Sequence, residues 1–233
     1  MDNKSVIILL GPPGAGKGTQ GTLLSDKTGF YYFETSKILE RAFGKSKKGE
    51  AVKVGREKYS LGKEKKIWET GGLCSPPFIS FLVKKEIKGL YNSGESLILA
   101  GSPRTLGEAK SLMPLIEKLY GKKNIKIILI NIPAQETIFR NSHRRICQLM
   151  RHPILYVKET KNLKICPLDG SKLIRRKGLD DPETIKIRLD EYKNRTLPLI
   201  DYFKENKIEV SRVNGVGSVA QVFLKILKTV KVE

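Results

Sequence analysis

The stretch SVIILLGPPGAGKGTQGTLLSDKTG, residues 5–29, constrains the fold more than any other part of the chain. Its opening run is apolar and too short for a helix, so it reads as a buried strand. Glycine then recurs at 11, 14 and 16, and Lys17 opens a segment of helical character. A strand, a glycine-rich turn and a helix in succession let backbone N–H groups turn inward around phosphate oxygens. The helix N-terminus adds a favourable dipole. Lys17 supplies a compact cation for the terminal phosphates. Gly18 follows the lysine where a hydroxyl is usual, which makes Thr19 the metal-side hydroxyl. Gly11, Gly14, Ala15, Gly16, Lys17, Gly18 and Thr19 are the candidate phosphate-loop residues.

Such a unit has to be embedded in a sheet. FYYF (30–33), LILA (97–100), IKIILINI (125–132) and KIEVSRV (207–213) supply four more strands. Amphipathic segments lie between them, clearest in the stripe Val219, Val222, Phe223, Ile226, Leu227 and Val230. Pro76 and Pro77 suit the first turn of a helix over 77–90. Apolar strands separated by helices predict an α/β fold, a five-stranded parallel sheet covered by helices on both faces. Ligands of such sheets bind beyond the carboxyl ends of the strands. Two stretches break the rhythm. Residues 44–66, rich in Lys and Gly, read as a helix plus a mobile connection, and residues 150–180 read as a small inserted lobe of β-like pieces.

Lys plus Arg number 44 against 24 Asp plus Glu, a net charge of +20, so polyanionic partners have to be considered. The lysines are scattered in short interrupted groups, without an RNA-binding aromatic signature or a helix-turn-helix pattern. A small phosphorylated substrate is expected rather than specific nucleic acid. No apolar run reaches the ~20 residues of a membrane span. The start MDNKSVIILLG lacks the basic region of a signal peptide. Three cysteines, Cys74, Cys147 and Cys166, form no disulfide framework and point to a reducing cytoplasm. A monomer is the default expectation.

GPPGAGKGTQ closely resembles the nucleotide loop of the adenylate kinases and related nucleoside-monophosphate kinases, and the resemblance continues along the chain. GSPRT (101–105) resembles the family's D-G-F-P-R-T, and FRNSHRR (139–145) its R-x-x-x-R helix. DDPETIKIRLDEY (180–192) resembles D-D-x-x-E-T-x-x-x-R-L-x-x-Y. TLPLIDYF (196–203) and the NG turn at 214–215 also match. The resemblance implies a parallel core, a monophosphate lobe over 34–92 and a lid over 147–181. It also implies transfer of the γ-phosphoryl of ATP·Mg²⁺ to a nucleoside monophosphate, with AMP favoured.

Phosphoryl transfer needs in-line positioning and cations around a charge-spread transition state. By resemblance Lys17, Arg104, Arg144 and Arg188 are the catalytic cations, and Arg140 stacks on the ATP base. Arg140 and Arg144, four apart on a predicted helix, would share one face. Thr35, Lys37, Arg41, Gly101, Arg104 and Glu108 would line the monophosphate site. Asp180 and Asp181 match the lid carboxylates, Asp181 also reading as an N-cap before Pro182, and Arg176 is the counterpart of the lid arginine.

Four departures qualify this picture. Ala100 stands where the family has a metal-orienting Asp, which predicts a slower kinase with a raised Mg²⁺ requirement. Glu40 replaces the lobe arginine. Arg41, one residue on, is turned by ~100° on a helix, so Lys37 is the candidate to supply the charge. Glu108 replaces the base-reading Gln. A carboxylate only accepts, which suits guanine, yet Thr105-x-x-Glu108 reads equally as a capping box. In the lid, Cys147, Cys166 and Asp169 fill three places of a zinc site whose fourth holds Met150. Thioether ligates Zn²⁺ poorly, and only His143 or His152 could substitute. The expectation is a degenerate site packed by apolar contacts. Against the kinase stand an altered base preference such as GMP, a non-catalytic nucleotide binder, and a nucleic-acid-associated ATPase. The complete arginine set argues against the binder, and no water-activating carboxylate supports the ATPase.

Overall fold

The computed structural model describes residues 4–44, 47, 49–151, 153–176 and 180–230. The chain runs β1 (Val6–Leu10), α1 (Lys17–Thr28), β2 (Tyr31–Glu34), α2 (Thr35–Gly44), β3 (Ala51–Val54), β4 (Glu57–Ser60), α3 (Leu61–Glu69) and α4 (Pro76–Asn92). It continues through β5 (Leu97–Ala100), α5 (Leu106–Tyr120), β6 (Ile125–Asn131), α6 (Ala134–His143), β7 (Arg145–Cys147), β8 (Pro153–Ile154) and β9 (Leu173–Ile174). α7 (Pro182–Glu191), a π-helical turn over Tyr192–Thr196, α8 (Leu199–Glu205), β10 (Val210–Asn214) and α9 (Val219–Val230) complete it.

Five strands form one parallel sheet in the order β10-β6-β1-β5-β2. Successive side chains of a strand face opposite ways, so each strand needs apolar residues on both faces. Val6, Ile8, Leu97 and Leu99 pack on one side with Phe78, Val83, Met113 and Phe203 from α4, α5 and α8. Ile7, Leu9, Ile98, Ala100 and Ile128 pack on the other with Leu24 of α1 and Val222 and Ile226 of α9. Because the strands are parallel, their carboxyl ends share one rim. Gly11, Thr35 and Gly101 follow β1, β2 and β5 there.

Residues 44–66 depart from expectation. β3 and β4 form an antiparallel hairpin, Val54 pairing Glu57 across Gly55-Arg56, with Gly55 at φ +63°. A two-residue loop with positive φ matches strand twist. Val52 and Tyr59 lean on the core, an alternation that the surrounding lysines obscure. The stretch 150–180 contributes to a three-stranded antiparallel sheet, β8-β7-β9, with a small core of Cys147, Ile154, Cys166 and Leu173.

Candidate active site

The turn after β1 is built from residues that other side chains would disrupt. Gly11, Gly14 and Gly16 all have positive φ. A Cβ on Gly11 would come within 2.5 Å of the Ile130 carbonyl oxygen, and one on Gly14 within 2.6 Å of Asn141 Nδ2. Lys17 Nζ donates back to the carbonyls of Gly11 (2.7 Å) and Pro12 (2.9 Å), so the lysine is held inside its own loop. Arg140 donates to Gly215 O at 3.0 Å, Gly14 O at 3.4 Å and Glu136 Oε1 at 2.6 Å. That residue ties the phosphate loop to the turn after β10.

Arg144 does not share a helix face with Arg140. α6 ends at His143, and Arg144 turns into extended backbone with ψ 133°. Tertiary partners override the helical spacing: Arg144 donates to both oxygens of Asp180 and, at 2.7 Å, to Asn141 Oδ1. The Asp180 side chain is 1% exposed, and Arg188 Nη1 lies 3.7 Å from its Oδ1. One buried carboxylate therefore aims two arginines. Arg176 stands close enough to feel Arg144 and Asp180. Asp181 takes the N-cap position of α7, followed by Pro182.

The cluster is short of anions. Burial, then Arg104, Arg188 and Arg144, push Lys17 well below its ordinary value, with Glu34 opposing. Burial, then Arg144, Arg176 and Arg104, push Arg188 down to about 9, with Asp180 opposing. Cations crowded into a desolvated cleft are stabilised by a bound polyphosphate. Gly11, Lys17, Gly101, Arg104, Arg188 and Thr196 line one cleft at the sheet rim.

Across the cleft the picture is mixed. Gly101 has φ +106°, and a Cβ there would sit 2.8 Å from Arg104 Nη2, so the guanidinium lies against a bare backbone. Thr196 Oγ1 donates to Arg104 O at 2.8 Å. Thr35 Oγ1 donates to Ser102 Oγ at 3.1 Å. Half of the capping box forms: Glu108 N donates to the N-cap Thr105 Oγ1, while the Glu108 carboxylate reaches one residue further back, to Arg104 N rather than Thr105 N. Glu108, 2% exposed, accepts from Arg104 N at 2.9 Å and from Ser102 Oγ at 3.2 Å. Burial raises its carboxyl pKa. That carboxylate holds the turn and is not among the cleft-lining residues. Arg41 is spent on an exposed ion pair with Glu86 at 3.0 Å. Lys37 is exposed, its Nζ 5.9 Å from the Tyr32 ring centroid.

In the three-stranded lobe, ligand atoms of Cys147, Cys166 and Asp169 lie within 4.8 Å of one another. Cys147 Sγ donates to Asp169 Oδ2 at 3.0 Å, and Ser171 donates twice to Oδ1. Met150 is 63% exposed, and His143 Nδ1 faces Phe139 O at 2.9 Å. His152 lies outside the described residues. Among the described residues three donors come together where closed structural zinc takes four.

Three contributors escape sequence reasoning. Asn141 is wholly buried between Gly14 and Arg144. Glu64 is buried and accepts from Ser75 N (2.8 Å) and Ser75 Oγ (2.6 Å), joining α3 to the start of α4. Tyr32 lies along α1: a Cβ on Gly21 would meet its ring at 2.3 Å, and one on Gly18 its hydroxyl at 3.6 Å. Among the described residues that hydroxyl is buried without a hydrogen-bond partner, and burial and then Glu34 raise its pKa. Each depends on contacts across the fold, so no local spacing announces it.

The sequence is similar to those of known proteins along almost its whole length. The sequence model of the adenylate kinase family matches residues 9–208. An adenylate kinase of Methanothrix thermoacetophila is 33% identical over 223 residues, covering 95% of this chain and 96% of its own. One from Caldicellulosiruptor saccharolyticus is 34% identical over 228 residues, covering 97% and 99%. One from Mycoplasma capricolum is 33% identical over 229 residues, covering 97% and 99%. With its phosphate loop, its aimed arginines and this likeness along almost its whole length, the chain belongs to the adenylate kinase family.

Proposed function

We propose that the chain transfers the γ-phosphoryl group of ATP to AMP, giving two ADP. The observation that carries this reading is the shared cleft, lined together by the phosphate loop with Lys17, by Gly101 and Arg104, and by Arg188. Lys17 and the loop amides take the ATP phosphates. Arg144 and Arg188, aimed by Asp180, meet the charge that spreads over the transferring group. Arg104 grips the acceptor phosphate through its fork. Arg140, pinned at its edges, offers a face to the adenine ring. Residues 34–92 serve as the monophosphate lobe, with Thr35 and Lys37 at its base, and residues 147–181 as the lid. The enzyme works as a cytoplasmic monomer.

Mg²⁺ accompanies the ATP. The hard oxygen donor suited to it is the Thr19 hydroxyl in the first turn of α1, and the Glu34 carboxylate is near enough for its charge to reach Lys17 of the same turn. The unpartnered Tyr32 hydroxyl adjoins the same turn. When bound, the metal neutralises charge on the β- and γ-phosphates.

The case for a guanine acceptor weakens once the Glu108 carboxylate is engaged in the turn. Diphosphate formation should be measured with AMP, GMP, CMP and UMP, with Lys17→Ala and Arg104→Ala as controls. AMP is expected to be the best acceptor. No turnover with any acceptor, with ATP binding intact, overturns the reading.

A further inference from the structure

Glu34 ends β2 and pairs in register with Ala100, the last residue of β5. Ala100 belongs to the apolar layer under α1, against which Tyr32 also packs. The period-two alternation of a strand puts Glu34, two residues beyond Tyr32, on that same face. Among the described residues its carboxylate has no hydrogen bond and no ion pair. The other carboxylates at the rim are committed: Asp180 to Arg144 and Arg188, Glu136 to Arg140, Glu191 to Arg195, and Glu108 to the turn before α5. Glu34 is half-buried, and its charge reaches Lys17, Tyr32 and Arg176.

A hydrated Mg²⁺ on a nucleotide keeps several waters, and a carboxylate at the end of a neighbouring strand accepts from them. Position 100 offers only a methyl group. Adjacent strands are about 4.8 Å apart, and glutamate reaches one methylene further than aspartate. We infer that Glu34 orients the water shell of the ATP-bound metal, doing from β2 what Ala100 cannot do from β5. The inference rests on the proposed use of Mg²⁺ with ATP. Glu34 acts through the metal's waters and is a positioning residue.

The test is metal binding, read without turnover. Mn²⁺ is titrated into the protein with a non-hydrolysable ATP analogue and followed by electron paramagnetic resonance. Analogue affinity is also measured in EDTA. Glu34→Gln should weaken Mn²⁺ binding in the complex about tenfold, as loss of an outer-sphere partner does. Metal-free analogue affinity should be unchanged or tighter, because a negative charge has left the phosphate site. Equal Mn²⁺ affinity in both proteins overturns the inference and leaves the metal-dependent reading standing. Equal weakening with and without metal also overturns it, assigning Glu34 a structural role. If Mn²⁺ fails to strengthen analogue binding even in the unaltered protein, both the reading and the inference fall.

Discussion

The two sides of the cleft are built differently. On the ATP side each cation has dedicated partners that are themselves fixed. Arg140 is clamped by two backbone carbonyls and Arg144 by a buried carboxylate and a buried amide, and Lys17 is folded into its own loop. On the proposed acceptor side Thr35 directly follows β2, and Arg104 lies in the turn between β5 and α5. Lys37 and Arg41 ride on the exposed face of α2, and the Arg41–Glu86 pair has side chains 58% and 31% exposed. Surface pairs of this kind contribute about 0–1 kcal/mol. The half proposed to hold ATP is therefore preorganised, and the half proposed for the acceptor can rearrange at little energetic cost.

The largest expected effect lies on the preorganised side. Lys17→Ala should lower kcat/KM by about 10³-fold in a coupled ADP assay, the scale of losing one fixed electrostatic contact. Asp180→Asn comes next. It leaves Arg144 and Arg188 in place but unaimed, and a misplacement of ~1 Å can cost about 10²-fold, so kcat should fall by that order. A loss under tenfold would mean that the arginines are positioned by something else.

The third prediction concerns protons. Lys17 titrates well below 10.5 in the free folded protein, and bound phosphate returns it toward that value. Between the two values ATP binding should take up protons, seen by calorimetry in buffers of different ionisation enthalpy. Affinity should fall as pH rises through the window. The same depression makes the free protein gain stability as pH rises there, since the unfolded chain holds more protons. The smallest effects belong to the acceptor side. Lys37→Ala should raise the AMP KM several-fold, whereas Arg41→Ala, removing a surface pair, should change KM and Tm little. A large rise in KM with Arg41→Ala would show that α2 reorganises on binding and would sharpen the contrast.

The strands, the phosphate loop and the arginines are legible in the sequence because each rests on a local rule: apolar runs, glycine spacing, order along the chain. The β3–β4 hairpin is hidden because lysines and glutamates dilute its alternation. Arg144 leaves the predicted helix because Asp180, 36 residues away, wins it. Glu108 admits two readings, and its carboxylate is buried and bonded within the turn before α5, to Arg104 N and Ser102 Oγ. Ala100 alone suggested a weakened metal site. The register places Glu34 beside Ala100 on the next strand, which is the ground of the inference that another carboxylate serves the metal's waters.

The packing of Tyr32 on Gly21 has a consequence for how this sequence can drift. A methyl group at 21 would stand 2.3 Å from the tyrosine ring, an overlap that costs about 1–3 kcal/mol when a packed site is overfilled. The two positions are interlocked, and the order of change matters: Tyr32 has to lose bulk before Gly21 gains a side chain. A lineage that took the steps in reverse would pass through a destabilised intermediate, so the glycine in α1 stays for as long as the tyrosine does.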